Sequence, residues 1–132
     1  MKKENLAAEI ISLEKAALEK WNHGDPSGYL DIYSKQITYF DPYQEKRLDG
    51  WDTMEKFYES LRGKIKVDRY EMLNPVVQAT QKMAVLSYNL ISYSGAEIYK
   101  WNCTEVYQLE ENNEWKILHN HWSLTDPTNG KV

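Results

Sequence analysis

The chain of 132 residues holds one cysteine, two phenylalanines and four prolines, and each scarcity narrows what it can encode. The lone Cys103 excludes an internal disulfide and any zinc site built from several cysteines. No apolar run approaches the roughly 20 residues of a membrane span, and Met1 to Ile10 lacks the apolar stretch of a signal peptide. The expected setting is therefore cytoplasmic, with no membrane partner. Basic residues are outnumbered, 16 Lys and Arg against 20 Asp and Glu, and a net charge of −4 lacks the electrostatic footprint of a nucleic-acid binder. The length predicts a single domain over residues 1–132 with an ordered core of about 5–126, too small for a two-domain enzyme.

What the chain has in quantity is aromatic side chains with a polar handle, 10 Tyr and 5 Trp. Such rings suit a surface that is half apolar and half wet, a pocket wall or an interface. Leu6, Ile10, Leu13, Ala17 and Trp21 recur at spacings of three and four and predict an amphipathic helix over about 5–22, ended by Gly24. His23 belongs to the last turn of that helix, where an imidazole faces the negative end of the helix dipole. Asp25-Pro26 opens a short second helix carrying Tyr29, Leu30 and Tyr33, and Ile37 to Asp41 reads as a short strand stopped by Pro42. Asp52 to Glu55 has capping-box spacing and predicts a third helix with Met54, Phe57, Tyr58 and Leu61.

Beyond Lys64 the helical period gives way to β-like runs at about 64–80, 82–93, 96–110 and 114–124, and the short breaks between the last three permit only antiparallel hairpins. The fold class is α+β, with three N-terminal helices packed on one face of a strongly curved antiparallel sheet. A three-residue loop, Glu111 to Asn113, pairs Trp115 with Leu109 and Ile117 with Tyr107, apolar against apolar. Continued without interruption, that register puts His119 opposite Glu105, His121 opposite Cys103 and Ser123 opposite Trp101. A turn at Ser94-Gly95 adds Tyr88 opposite Trp101, Leu86 opposite Cys103 and Ala84 opposite Glu105. One face then carries Trp115, Leu109 and Ile117 at an apolar end and Glu105, His119, His121, Tyr88 and Trp101 at a polar one. Asp41 would add a second carboxylate, and two carboxylates with an imidazole in an apolar cup are the parts of general acid–base chemistry.

Trp21-Asn22-His23-Gly24-Asp25, the strand ending in Phe40-Asp41-Pro42, and Asp49-Gly50 before a helix resemble the N-terminal half of the nuclear transport factor 2-like superfamily. That superfamily includes ketosteroid isomerase, SnoaL-like polyketide cyclases and scytalone dehydratase. Met72-Leu73-Asn74-Pro75 and Trp115 to Ser123, with its W-x-x-x-H-x-H-x-S pattern, are similar to the association, or hub, domain of calcium/calmodulin-dependent protein kinase II. The resemblance spans about Leu6 to Pro127 and implies a cone-shaped fold over a deep pocket, usually a homodimer through the outer sheet face. It places Asp41 where ketosteroid isomerase has its general base and Glu105 where it has a protonated oxyanion-hole aspartate. Ala17 stands where a catalytic tyrosine would be, so steroid isomerisation is not expected. His119, His121 and Ser123 match the kinase hub, whereas the hub's pocket arginine is replaced by Glu105, which implies a pocket tolerating neutral or cationic ligands.

Two readings follow. The first is a small-molecule pocket of Trp51, Tyr88, Trp101, Cys103, Glu105, His119, His121 and Ser123, needing no cofactor. In it Asp41 is the base and Glu105 with His119 the proton donor of an isomerase, dehydratase or cyclase. The second is a non-catalytic assembly module, a homodimer or higher oligomer. Its outer face would carry Val106, Leu118 and Trp122 among Asn102, Thr104, Gln108, Lys116 and Asn120. A metal held by His119, His121 and Cys103 is the weakest alternative, since zinc catalysis wants three firm ligands and Cys103 suits a buried apolar position; no metal is expected.

Overall fold

A computed structural model of the chain describes residues 3–125. The expected loose ends therefore lie largely outside the described residues, while Lys3 and Glu4 already belong to the first helix. The elements are α1 (Lys3–Asn22), α2 (Ser27–Ile32), β1 (Tyr33–Phe40), β2 (Leu48–Asp49), α3 (Trp51–Glu59), β3 (Arg69–Ala79), β4 (Met83–Ser94), β5 (Glu97–Leu109) and β6 (Trp115–Leu124). The α+β class read from the sequence is the class observed. The strands form one six-stranded sheet in the order β2-β1-β6-β5-β4-β3, antiparallel throughout except that β1 runs parallel to β6.

The helix stripe is rotated slightly from its expected line. Leu6, Ile10 and Ala17 are buried, but Leu13 and Trp21 are only half-buried, and Glu14 and Leu18 take the deepest positions beside them. The α1 C-terminus is closed as expected, with His23 Nδ1 donating to the Glu19 carbonyl at 2.8 Å. Gly28 lets α2 lie against α1: a Cβ there would sit 3.0 Å from the Ala17 Cα. Asp25 stabilises the entry to α2 by accepting the Ser27 backbone N–H at 2.9 Å, and this bond holds its carboxyl down at a pKa of about 2. The capping box expected at Asp52 is not formed. The helix begins two residues earlier than a cap at Asp52 would set, behind Gly50 in a left-handed conformation (φ 92°), with no side-chain cap.

Two register corrections matter for the site. The β4–β5 turn is Gly95-Ala96, not Ser94-Gly95, so Tyr88 pairs with Cys103, Leu86 with Glu105 and Ala84 with Tyr107. A slip of two preserves the faces, and these side chains still point inward. The β5–β6 hairpin begins as expected, with Leu109 opposite Trp115 and Tyr107 opposite Ile117, but a bulge follows. One extra residue on β6 makes Val106 the partner of His119, Thr104 of His121 and Asn102 of Ser123. From there on every β6 side chain is reversed. Asn120 and Trp122, expected outside, turn inward opposite Glu105 and Cys103; His119, His121 and Ser123, expected inside, turn outward. A second irregularity, between Leu73 and Val76, is built on Asn74 at φ 51°, and β3 can hold the adjoining Pro75 because it is an edge strand.

Candidate functional site

Between the C-terminal half of α1, α3, the segment 64–67 and the ends of β4, β5 and β6 lies a cavity of 520 Å3. Its walls are largely rings: Trp21, Tyr29, Tyr39, Tyr43, Phe57, Tyr58, Tyr99, Trp101 and Trp122. Asp41 is the one carboxylate lining it among the described residues. The Asp41 side chain is held at both oxygens, Oδ2 accepting the Tyr39 hydroxyl at 2.8 Å and Oδ1 the Tyr43 backbone N–H at 2.7 Å. Pro42 ends the strand just there, so the chain turns back over its own carboxylate and brings the Tyr43 ring to the cavity. Lys64 and Lys66 also line the cavity, on an exposed segment.

Beneath this cavity the core holds two fully buried carboxyl groups, Glu14 and Glu105. Glu14 accepts three tyrosine hydroxyls: Tyr29 at 2.8 Å and Tyr88 at 2.5 Å on Oε2, and Tyr107 at 2.9 Å on Oε1. Glu105 Oε2, by contrast, meets no donor. Burial and the Glu14 charge beside it push the Glu105 carboxyl well above the usual range, and a protonated Glu105 is itself a donor with Glu14 as the acceptor. An ionised Glu105 would leave an unsolvated, unpaired oxygen in the core, so the neutral acid is the form that fits. Burial likewise raises the hydroxyls of Tyr29, Tyr88 and Tyr107 and the Cys103 thiol, keeping all four neutral. A second chain runs beside the first. Tyr33 donates to Asn120 Oδ1 at 2.6 Å and bonds the Tyr58 hydroxyl at 2.8 Å, and the Trp122 indole N–H reaches Asn120 Oδ1 at 3.2 Å.

The site expected from the sequence is thus divided among separate places. Asp41 and Trp101 line the cavity. Tyr88, Cys103 and Glu105 point inward but belong to the packed core below it. Trp51 lies apart, at the start of α3, where its indole N–H donates to the Leu30 carbonyl at 2.8 Å and the Lys35 ammonium sits 4.3 Å from the ring centre. His119 and His121 are on the outer sheet face, packed against Phe40 with ring centres 5.7 and 5.1 Å away, and Thr38 hydrogen-bonds His119 Nδ1 at 2.7 Å. Partial burial and the neighbouring His121 lower the His119 pKa. Ser123 is outside too, its hydroxyl taking a bond from Asn102 Nδ2 at 3.1 Å. Glu105 and His119 therefore do not form the expected proton-donor pair, and Cys103 cannot join the two histidines at a metal because the sheet separates them. Glu14, Cys103 and Glu105 do bring ligand atoms within 4.8 Å of one another. Tyrosine hydroxyls and the Glu105 proton already occupy that space, and the thiol is held protonated.

Glu14 escaped the sequence reading although its signal was present: an acid between Ile10 and Ala17 on the apolar stripe, where a charge must be paired. The reversal of β6 had no such signal, because a bulge leaves the hydrophobic alternation of each half intact.

The family model of the calcium/calmodulin dependent protein kinase II association domain matches residues 6–126. The chain belongs to this association domain family. Among solved structures, this association domain is similar to a ketosteroid isomerase-like protein from Parabacteroides distasonis, at 39% identity and a TM-score of 0.83 over 91% of this chain and 88% of that one. A nuclear transport factor 2-like protein of unknown function from Pseudomonas putida superposes with a TM-score of 0.84 at 20% identity, over 100% and 96% of the two chains. The hub of the S. rosetta calcium/calmodulin-dependent kinase follows the same fold at 16% identity, with a TM-score of 0.71 over 88% and 94%. No curated protein matches this chain in sequence. Among the described residues no helix is long and apolar enough to cross a membrane.

Proposed function

We propose that this association domain is a small-molecule binding domain whose ligand occupies the aromatic cavity and is oriented by Asp41. The observation that carries the reading is the cavity itself. A hollow of 520 Å3 walled by tryptophan and tyrosine rings, with a single carboxylate fixed at both oxygens, has the size and the sparse, placed polarity of a ligand site. Catalysis by the Glu105–His119 pair finds no support in the geometry, since one is sealed in the core and the other faces outward. Asp41 remains a suitable acceptor for a proton or a hydrogen bond from a ligand. The test is a thermal-shift screen of small ring-containing compounds against the wild type and Trp122→Ala. Compounds that stabilise the wild type and not the variant support the reading; stabilisation unaffected by the loss of Trp122, or none from any compound, overturns it.

Self-association is the second function we propose, and the family match favours it. The outer face of the sheet carries half-buried Leu73, Val85, Ile91 and Val106 and exposed Val76 and Ile98, apolar side chains that a second copy could cover. Light scattering at micromolar concentration should give at least twice the 15.6 kDa of the chain; a monodisperse monomer would remove this role.

A further inference from the structure

The cavity has one corner of distinct chemistry. Trp101 and Trp122 stand nearly perpendicular, 83° between planes and 5.9 Å between centres, and Tyr43 meets Trp101 at 78° and 6.3 Å. Tyr99 extends the wall 6.5 Å from Trp101. All four rings line the cavity, and so does Asp41, whose Oδ1 holds the backbone N–H of Tyr43. Tyr43 and Tyr99 are 67% and 39% exposed, unusually open for such large rings, so this corner reaches solvent.

Rings set at right angles present electron-rich faces from more than one direction, and a formal negative charge stands beside them. We propose that this corner is an aromatic cage for an organic cation, an ammonium or quaternary ammonium group carried by the ligand, whose apolar body fills the rest of the cavity. The proposal rests on the cavity being the ligand site and adds the charge of what enters it. An organic cation suits the corner better than a metal ion or a small inorganic cation, because rings replace water around a methylated ammonium without having to supply directed ligand atoms. Lys64 and Lys66 also line the cavity, but both lie on an exposed segment where water and salt screen them, whereas Asp41 is half-buried against the rings.

The test uses three probes of one shape and different charge: choline, the uncharged 3,3-dimethylbutan-1-ol and the anionic 3,3-dimethylbutanoate, titrated into the full chain and followed by tryptophan fluorescence and calorimetry. Choline should bind at least tenfold more tightly than the alcohol, and the butanoate least. Asp41→Asn and, independently, Trp101→Leu should each remove most of the choline preference while circular dichroism shows the fold intact. Equal binding of choline and the alcohol overturns the cage and leaves the cavity as a ligand site. Tighter binding of the butanoate overturns it in favour of the lysines, and no choline binding overturns it outright. Failure of the cavity reading itself is separately visible, as compounds insensitive to Trp122→Ala.

Discussion

The Tyr107 hydroxyl donates to Glu14 Oε1 at 2.9 Å and so ties the C-terminal end of β5 to α1 across 93 residues of sequence. With Tyr29 and Tyr88 on the other oxygen, this one side chain clamps two helices to two central strands through charge-assisted bonds in a dry core. Replacing Glu14 by Ala strands the Tyr29 and Tyr88 hydroxyls, leaves Tyr107 only a long 3.4 Å bond to Glu105 Oε1, and removes the acceptor for the Glu105 proton. Chemical denaturation should show a loss of about 3–5 kcal/mol, the range for breaking a buried charged network. A loss under about 1 kcal/mol would mean that water replaces the carboxylate.

Glu105 sets the pH dependence. Its folded pKa is raised above the unfolded value by burial and by Glu14, so its contribution is fully favourable below the unfolded pKa of about 4.5 and is lost as pH rises toward the folded value. Stability should fall as pH rises above about 5, by about 1.4 kcal/mol per pH unit for as long as the folded carboxyl keeps its proton. Glu105→Gln keeps a donor toward Glu14 without a titrating proton, and its stability should be nearly flat between about pH 7 and pH 8, above the range of the His119 imidazole and below that of the Cys103 thiol. The tyrosines remain neutral there in both states, so a slope that persists in the variant would locate the titration elsewhere.

His119 and His121 test the strand reversal directly. On the outer face they have no access to the cavity, so the double substitution to Ala should leave ligand binding within about twofold and cost no more than about 1 kcal/mol of stability. Asp41→Asn should weaken the same ligand about tenfold or more, the worth of a charged hydrogen bond. Binding lost with the histidines and kept without Asp41 would place the site on the other side of the sheet.

Gly28 sits where α2 crosses α1, and the atom in the way of a Cβ is main chain, the Ala17 Cα at 3.0 Å. Gly28→Ala must push the helices apart, so urea denaturation should show a destabilisation of about 1–3 kcal/mol with an unchanged m-value. A neutral or stabilising result, the usual effect of Ala for Gly inside a helix, would show that the crossing can yield.

The sequence alone determined the order of the longer elements, though not the two-residue β2 or the start of β1 at Tyr33, together with the α+β class, the inward face of β4 and β5, and the first pairs of the last hairpin. These depend on local propensity and on hydrophobic period, which are written residue by residue. That Asp41 and Trp101 face the concave side of the sheet was legible for the same reason, one beside a strand-ending proline and the other on an inward strand position. Tertiary structure decided the rest. A single extra residue in β6 exchanged His119 and His121 for Asn120 and Trp122 in the interior, because side-chain direction in a strand has a period of two and one bulge inverts everything beyond it. The partners of Glu14 lie 15, 74 and 93 residues away, and only the packing of helix on sheet brings their hydroxyls to one carboxylate. Whether a polar side chain faces a ligand or is sealed beneath one is a matter of where a curved sheet leaves space, and that is fixed by contacts between elements rather than by the pattern within any one of them.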